Sequence, residues 1–134
     1  MIVVDTNLVA YFFINGEHSD QAEKVFLKDP RWAAPLLWRS ELRSVMVKCL
    51  RKEFFGTDDA IQIMDEAESL LSGGEYAVAS AEVLTLAAST ACSAYDGEFV
   101  VLARGLGVPF VTLDRALLES FPETAVSPAR FLAF

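Results

Sequence analysis

Four acids in this chain, Asp5, Glu41, Asp96 and Asp114, each stand beside a predicted strand end or helix start. Asp5 follows the apolar run Ile2-Val3-Val4 and leads into Thr6-Asn7; Asp114 follows Pro109-Phe110-Val111-Thr112-Leu113 in the same manner. An acid just past a short β-rich run lies at the carboxyl edge of a parallel sheet, where open α/β folds gather their ligands. Helix N-termini fall on that same edge, so Glu41 and Asp96 are expected on the same rim. At about 4 Å and an effective dielectric near 20, each like-charge pair costs roughly 4 kcal/mol. Such a cluster must take up protons or hold a cation. No His or Cys accompanies these acids, and all-oxygen ligation selects Mg²⁺ or Mn²⁺ over zinc. Four carboxylates gathered there would need such a cation, and that chemistry points to phosphodiester cleavage.

Each acid also has a plain structural role available. Asp5 and Asp114 suit helix N-caps, Ser93-Ala94-Tyr95-Asp96 resembles a capping box, and Glu41 complements a helix dipole. Singly these roles carry as much weight as function; what tips the balance is the shared edge. Glu17, Asp29, Glu53, Glu66 and Glu123 lack a comparable apolar context and read as solvated surface.

The elements that must position the acids alternate along the chain. Strands are predicted over 2–5, 32–35, 76–79 and 109–112, with an edge strand at Ala125-Val126. Helices are predicted over 7–14, from an N-cap at Ser19 to about Lys28, and from Ser40 to about Lys52. A further helix, capped by Thr57, places Ile61, Met64, Ala67 and Leu71 on one face and ends at Gly73-Gly74. The last ones run from Ser80 to about Thr90, from Ser93 to near Gly105, and from Asp114 to Ser120. With no repeat, low-complexity tract or linker, residues 1–134 read as one domain: a three-layer α/β/α fold with a central, mainly parallel sheet.

Composition bounds the function. Fifty-three per cent of the residues are hydrophobic, ample for a core. Asp5 interrupts the first apolar stretch and no basic region precedes it, so no targeting segment is expected. The longest uncharged stretch, Val83 to Tyr95, is too short to span a bilayer, which needs about 20 apolar residues. Cys49 and Cys92 fit no metal spacing and read as buried free thiols in a reducing cytosol, which makes a cytoplasmic location the expectation. The lone histidine, His18, reads as a loop residue. A net charge of −8 weighs against nucleic acid. Against that, Arg39, Arg43, Lys48, Arg51 and Lys52 cluster around the single acid Glu41.

Four stretches carry a family resemblance. Val3-Val4-Asp5-Thr6-Asn7, Ser40-Glu41-Leu42, Tyr95-Asp96-Gly97-Glu98-Phe99-Val100-Val101-Leu102-Ala103 and Val111-Thr112-Leu113-Asp114 resemble, in order and spacing, the motifs of PIN-domain ribonucleases, of which VapC-type toxins are small members. The resemblance implies the PIN-like fold and hydrolysis of RNA by metal-activated water. It also implies that Asp5, Glu41, Asp96 and Asp114 are the metal-binding, catalytic acids, that Asn7 and Thr112 support them, and that a small antitoxin protein is a partner. Phe99 and Gly97 depart from the Tyr and Ala of many relatives, and Leu117 and Leu118 supply no further acid after Asp114.

Glu41, Lys48 and Lys52 differ by seven and eleven positions and share one helical stripe at ~100° per residue. Lys48, roughly 10 Å along the axis from Glu41, is therefore placed to meet an RNA phosphate, with Lys52 and Arg115 as further substrate contacts. Arg39 and Arg43 fall on the opposite side. The apolar Tyr11-Phe12-Phe13-Ile14 and Phe131-Leu132-Ala133-Phe134 read mainly as core, with a homodimer face as a second reading. Two phosphate-handling alternatives lack needed residues: a phosphate-accepting regulatory domain wants a Lys after its late strand, and a haloacid-dehalogenase-like phosphatase wants an acid at position 7. The serious rival is a catalytically silent PIN-like scaffold that binds RNA or protein without cutting.

Overall fold

The computed structural model describes residues 1–134. Five short strands, β1 (Ile2–Val4), β2 (Trp32–Pro35), β3 (Glu75–Tyr76), β4 (Phe110–Val111) and β5 (Ala125–Val126), pair in the order β3-β2-β1-β4-β5. All neighbours run parallel, with Val3 opposite both Ala33 and Phe110, and Val4 opposite Val111. β1 and β2 are buried along their whole length. Covered on both faces, they read as unbroken apolar runs rather than alternating ones.

The helices are α1 (Thr6–Phe13), α2 (Ser19–Lys28), α3 (Trp38–Arg51), α4 (Thr57–Leu70), α5 (Ser80–Ala88), α6 (Ala94–Leu106), α7 (Arg115–Ser120) and α8 (Pro128–Leu132). α6 lies against β1, β2 and β4 with α5 outside it, while α1 packs with α2, α3 and α4. An aromatic cluster of Phe12, Phe26 and Trp32, with centroids 4.9 to 5.6 Å apart, joins α1 and α2 to β2. Phe99 stacks on Phe110 at 5.6 Å and joins α6 to β4. The result is the expected three-layer α/β/α fold.

The chain steps outward from β1 through β2 to β3, then returns to lay β4 on the other side of β1. The order of strands therefore reverses between β1 and β4, and their carboxyl ends open a crevice there. Asp5 directly follows β1, and Thr112 and Asp114 follow β4.

Several element starts differ from the sequence expectation. α3 begins at Trp38, not Ser40, because the buried Trp38 indole donates to Glu75 Oε2 at 3.0 Å and draws two more residues into the helix. Ser19 is the first residue of α2 rather than its cap; its hydroxyl accepts from Gly16 N–H and donates to Ile14 C=O. Gly56 caps α4 in place of Thr57, and Asp59 accepts its N–H at 3.1 Å. On α4 the buried residues are Ala60 and Ala67, with Leu71 buried at its C-cap, whereas Ile61 is 54% exposed. β3 falls at Glu75–Tyr76, ahead of the predicted 76–79. α8 was not foreseen, although Ser127-Pro128 is a readable start: Ser127 accepts from Arg130 N–H, and proline suits the first helical position. Asp29 is not mere surface, since it accepts from the N-terminal amine at 2.7 Å. Cys49 is buried and Cys92 half-buried, both free. No helix is long and apolar enough to cross a membrane.

Candidate active site

Asp5 follows β1 and caps α1, its Oδ1 accepting Leu8 N–H at 2.8 Å. Its other oxygen, Oδ2, accepts the Thr112 hydroxyl at 2.5 Å and Leu113 N–H at 3.4 Å. One carboxylate thereby fastens the two strands that flank the crevice. Thr112 is fully buried, and its hydroxyl oxygen also accepts Asp114 N–H at 3.0 Å. Asp114 caps α7 by accepting Leu117 N–H at 3.1 Å. Glu41 sits in the first turn of α3, where Oε1 accepts the hydroxyl of Thr6 at 2.7 Å. Asp96 lies in the first turn of α6, behind the cap formed by Ser93, whose hydroxyl accepts Asp96 N–H.

All four acids line one cavity of about 260 Å³. Ser44, Val45, Phe99, Phe110 and Leu117 complete it together with Thr6, Asn7 and Lys48. The capping roles and the shared pocket therefore coexist. Burial raises the proton affinity of Asp5, against the opposing pull of Thr112 and two backbone N–H groups, and the Asp114 charge raises it further. Glu41 is raised first by burial, with Thr6 opposing, then by the charges of Asp96, Asp5 and Glu98. Asp96 is raised by burial and by Asp114, with Ser93 opposing. The acids feel one another across the cavity.

The donor set is all oxygen and suits a hard divalent ion. As the side chains stand, however, no three carboxylate, histidine or cysteine groups are gathered tightly enough to hold a metal. The acids converge on one pocket without forming a finished ligand shell.

Of the residues expected to support the acids, Thr112 touches two of them, through Asp5 Oδ2 and Asp114 N–H. Asn7 lines the cavity from an exposed position, and no hydrogen bond ties it to an acid. Thr6 does the orienting on that side and was missed, because its partner is 35 residues away. Of the basic residues, Lys48 alone lines the cavity. Lys52 does not: α3 ends at Arg51, so the helical stripe stops short, and Lys52 Nζ instead lies 5.9 Å from the Phe54 ring centre. Arg115 is exposed on α7, outside the cavity lining.

No family model matches the chain. It is 28% identical over 124 residues to Ribonuclease VapC3 of Pyrobaculum aerophilum, a match spanning 90% of this chain and 95% of that protein. Among solved structures, PAE2754 from Pyrobaculum aerophilum superposes with a TM-score of 0.78 at 20% identity, covering 98% of this chain and 86% of that one. A toxin-antitoxin complex from Klebsiella pneumoniae gives 0.70 at 15% identity, covering 96% and 98%. FitAcB from Neisseria gonorrhoeae gives 0.71 at 15% identity, covering 96% and 99%. With its four acids on the crevice of a parallel sheet and these relatives spanning nearly its whole length, the chain has the PIN-like fold and resembles the VapC-type PIN-domain ribonucleases.

Proposed function

We propose that the chain is an endoribonuclease that hydrolyses RNA phosphodiester bonds with Mg²⁺ or Mn²⁺, as the toxin of a toxin–antitoxin pair. The observation that carries this reading is the meeting of Asp5, Glu41, Asp96 and Asp114, from four separate elements, in one cavity at the strand-order reversal. The similarity to a protein named as a ribonuclease, and to a chain solved in a toxin–antitoxin complex, supports it.

A divalent cation, when bound, neutralises the acids and makes water a better acid. The chain's own groups then do the positioning. Thr112 and Leu113 N–H fix Asp5 Oδ2, and Thr6 fixes Glu41 Oε1, leaving Glu41 Oε2 for a second partner. Glu41 Oε2, left free of Thr6, would take a proton from the attacking water. Water oxygen bonds to phosphorus as the bond to the leaving ribose oxygen breaks. Lys48, the one cation on the wall, meets a neighbouring phosphate. An antitoxin would fit the same cavity by presenting an Arg or Lys to the acids.

Purified chain mixed with total RNA tests this directly. Cleavage is expected with Mg²⁺ or Mn²⁺ and is abolished by EDTA; Asp5→Asn or Asp96→Asn lowers the rate at least about 100-fold. Either variant cutting at the wild-type rate removes the assignment. A small protein that copurifies from native cells and suppresses cleavage would support the toxin role. Leu27 and Phe134, 81% and 80% exposed, are apolar side chains available to a homodimer face. A monomer by light scattering at micromolar concentration would count against that dimer.

A further inference from the structure

Asp96 and Glu98 are two residues apart on α6, which turns them about 200° from each other. Asp96 lines the acidic cavity, while Glu98 lines a separate groove of about 430 Å³. Five of the other groove residues are Leu36, Tyr76, Val78, Val83 and Leu84. Leu36 follows β2 and Val78 follows β3, so the groove opens on the same sheet edge as the acids. Leu36 and Leu84 are 53% and 65% exposed. Glu98 takes part in none of the chain's ion pairs, yet its charge reaches Glu41. A single half-buried carboxylate thus stands in an apolar slot beside the cavity.

We propose that this groove is a base-binding subsite for RNA, and that it takes guanine from a nucleotide next to the scissile bond. The inference rests on the nuclease reading and supplies its substrate preference. A carboxylate repels phosphate, so the groove is unsuited to the RNA backbone. Apolar and aromatic walls suit the flat face of a base, and unpaired RNA is read largely by such stacking and by hydrogen bonds to base edges. The carboxylate selects among the bases. Guanine offers two adjacent donors, N1–H and N2–H, which match two carboxylate oxygens. Adenine and cytosine offer one amino group beside a ring-nitrogen acceptor, which a carboxylate repels. Uracil offers a single N–H flanked by carbonyl oxygens.

Two measurements test the subsite. The first is NMR titration with guanosine, inosine and adenosine, which needs neither metal nor turnover. Guanosine should shift Leu36, Val78 and Leu84; inosine, lacking the N2 amino group, should bind more weakly, and adenosine more weakly still. Glu98→Gln should weaken guanosine binding by about 5- to 150-fold, the range for a two-point contact to a base. The second is mapping of cut sites in a randomised oligoribonucleotide pool with Mg²⁺, where guanine should be enriched at one fixed position and Glu98→Gln should flatten that enrichment. Nucleosides that bind alike, or a guanine preference unchanged in Glu98→Gln, overturn the subsite. So does Leu84→Arg that alters sedimentation while base preference stays the same, since a second copy of the chain would then cover the groove. Cleavage without guanine preference sinks the subsite and spares the nuclease; guanosine binding in the groove without any cleavage does the reverse.

Discussion

Asp5 serves two strands and a helix with one carboxylate, so the group beneath it should matter nearly as much as the acid. Thr112 is fully buried and donates to Asp5 Oδ2 while accepting Asp114 N–H, which couples two of the four acids. Thr112→Val keeps the shape and removes both bonds. Partners of this orienting kind typically contribute 10- to 100-fold in metal affinity or activity. A loss of that size is expected in Mn²⁺ affinity by calorimetry and in RNA cleavage; unchanged values would make Thr112 a mere packing residue. The acids themselves oppose folding when no ion is present. Asp5, Glu41 and Asp96 bind protons more tightly folded than at their ordinary values of 3.8, 4.5 and 3.8. Their favourable contribution is thus fully present below those values and is lost as pH rises through the folded ones. Asp96→Asn should raise the metal-free Tm at pH 7 by about 1–2 °C, kept small by solvent screening, and lose that advantage near pH 4. A Tm lowered at pH 7 would contradict the repulsion. The acids could be read from sequence because each follows a β-rich run or starts a helix, whereas Thr112 was reached only through the family resemblance. Thr6 could not, since nothing local to Asp5-Thr6-Asn7 announces a partner on α3.

Glu41 is delivered by α3, and the first turn of α3 is held from outside the pocket. Arg39 donates to both oxygens of Glu75 at 2.7 Å and to Glu68 at 2.7 Å, and the buried Trp38 indole donates to Glu75 as well. One carboxylate on edge strand β3 thus anchors two residues that precede Glu41 by two and three positions. Glu75→Ala would orphan the Trp38 N–H in the core, at a cost of about 1–3 kcal/mol in urea unfolding. Glu68→Ala, which breaks a more exposed pair, should cost less than about 1 kcal/mol. Equal losses would argue against Trp38 as the source. Arg39 and the Trp38 N–H hold Glu75 below its ordinary 4.5, Arg39 the more strongly, so this stabilisation is present above that value and fades as pH falls through the folded one. Here lies the limit of local reading. Ser40 is a good cap by type, but a contact 37 residues away places the helix start at Trp38. Gly73-Gly74 was read as a helix stop, yet Gly74 has a second duty: a Cβ there would come within 2.2 Å of Trp32 C=O, at the join between β2 and β3. The alternating strands and helices were legible because buried parallel strands and amphipathic helices have different periods. Their joins were not, because tertiary contacts set them.

If the proposed function holds, a chain of net charge −8 that gathers four acids in one cavity meets a polyanion on unusual terms. Much of its positive charge is already used or faces elsewhere: Arg39 is paired with Glu68 and Glu75, Lys28 binds the Phe131 and Phe134 carbonyls, and Lys52 lies over Phe54. Lys48 is the cation left on the cavity wall. The electrostatic share of RNA binding should therefore be small. For single strands the slope of log K against log salt is about −0.7 per neutralised phosphate, so a slope near −1 to −2 is expected in place of the steep dependence of basic nucleases. Lys48→Ala should move that slope toward zero by about 0.7. Lys52→Ala and Arg115→Ala should move it by less than half as much, since both lie outside the cavity. Anisotropy of a labelled oligoribonucleotide across 50–200 mM salt, with Asp5→Asn to suppress cutting, reads all three. If Lys48→Ala leaves the slope alone and either of the others changes it, RNA crosses the molecule along a different face from the one that holds the acids. The link between the cavity and its substrate would then have to be redrawn.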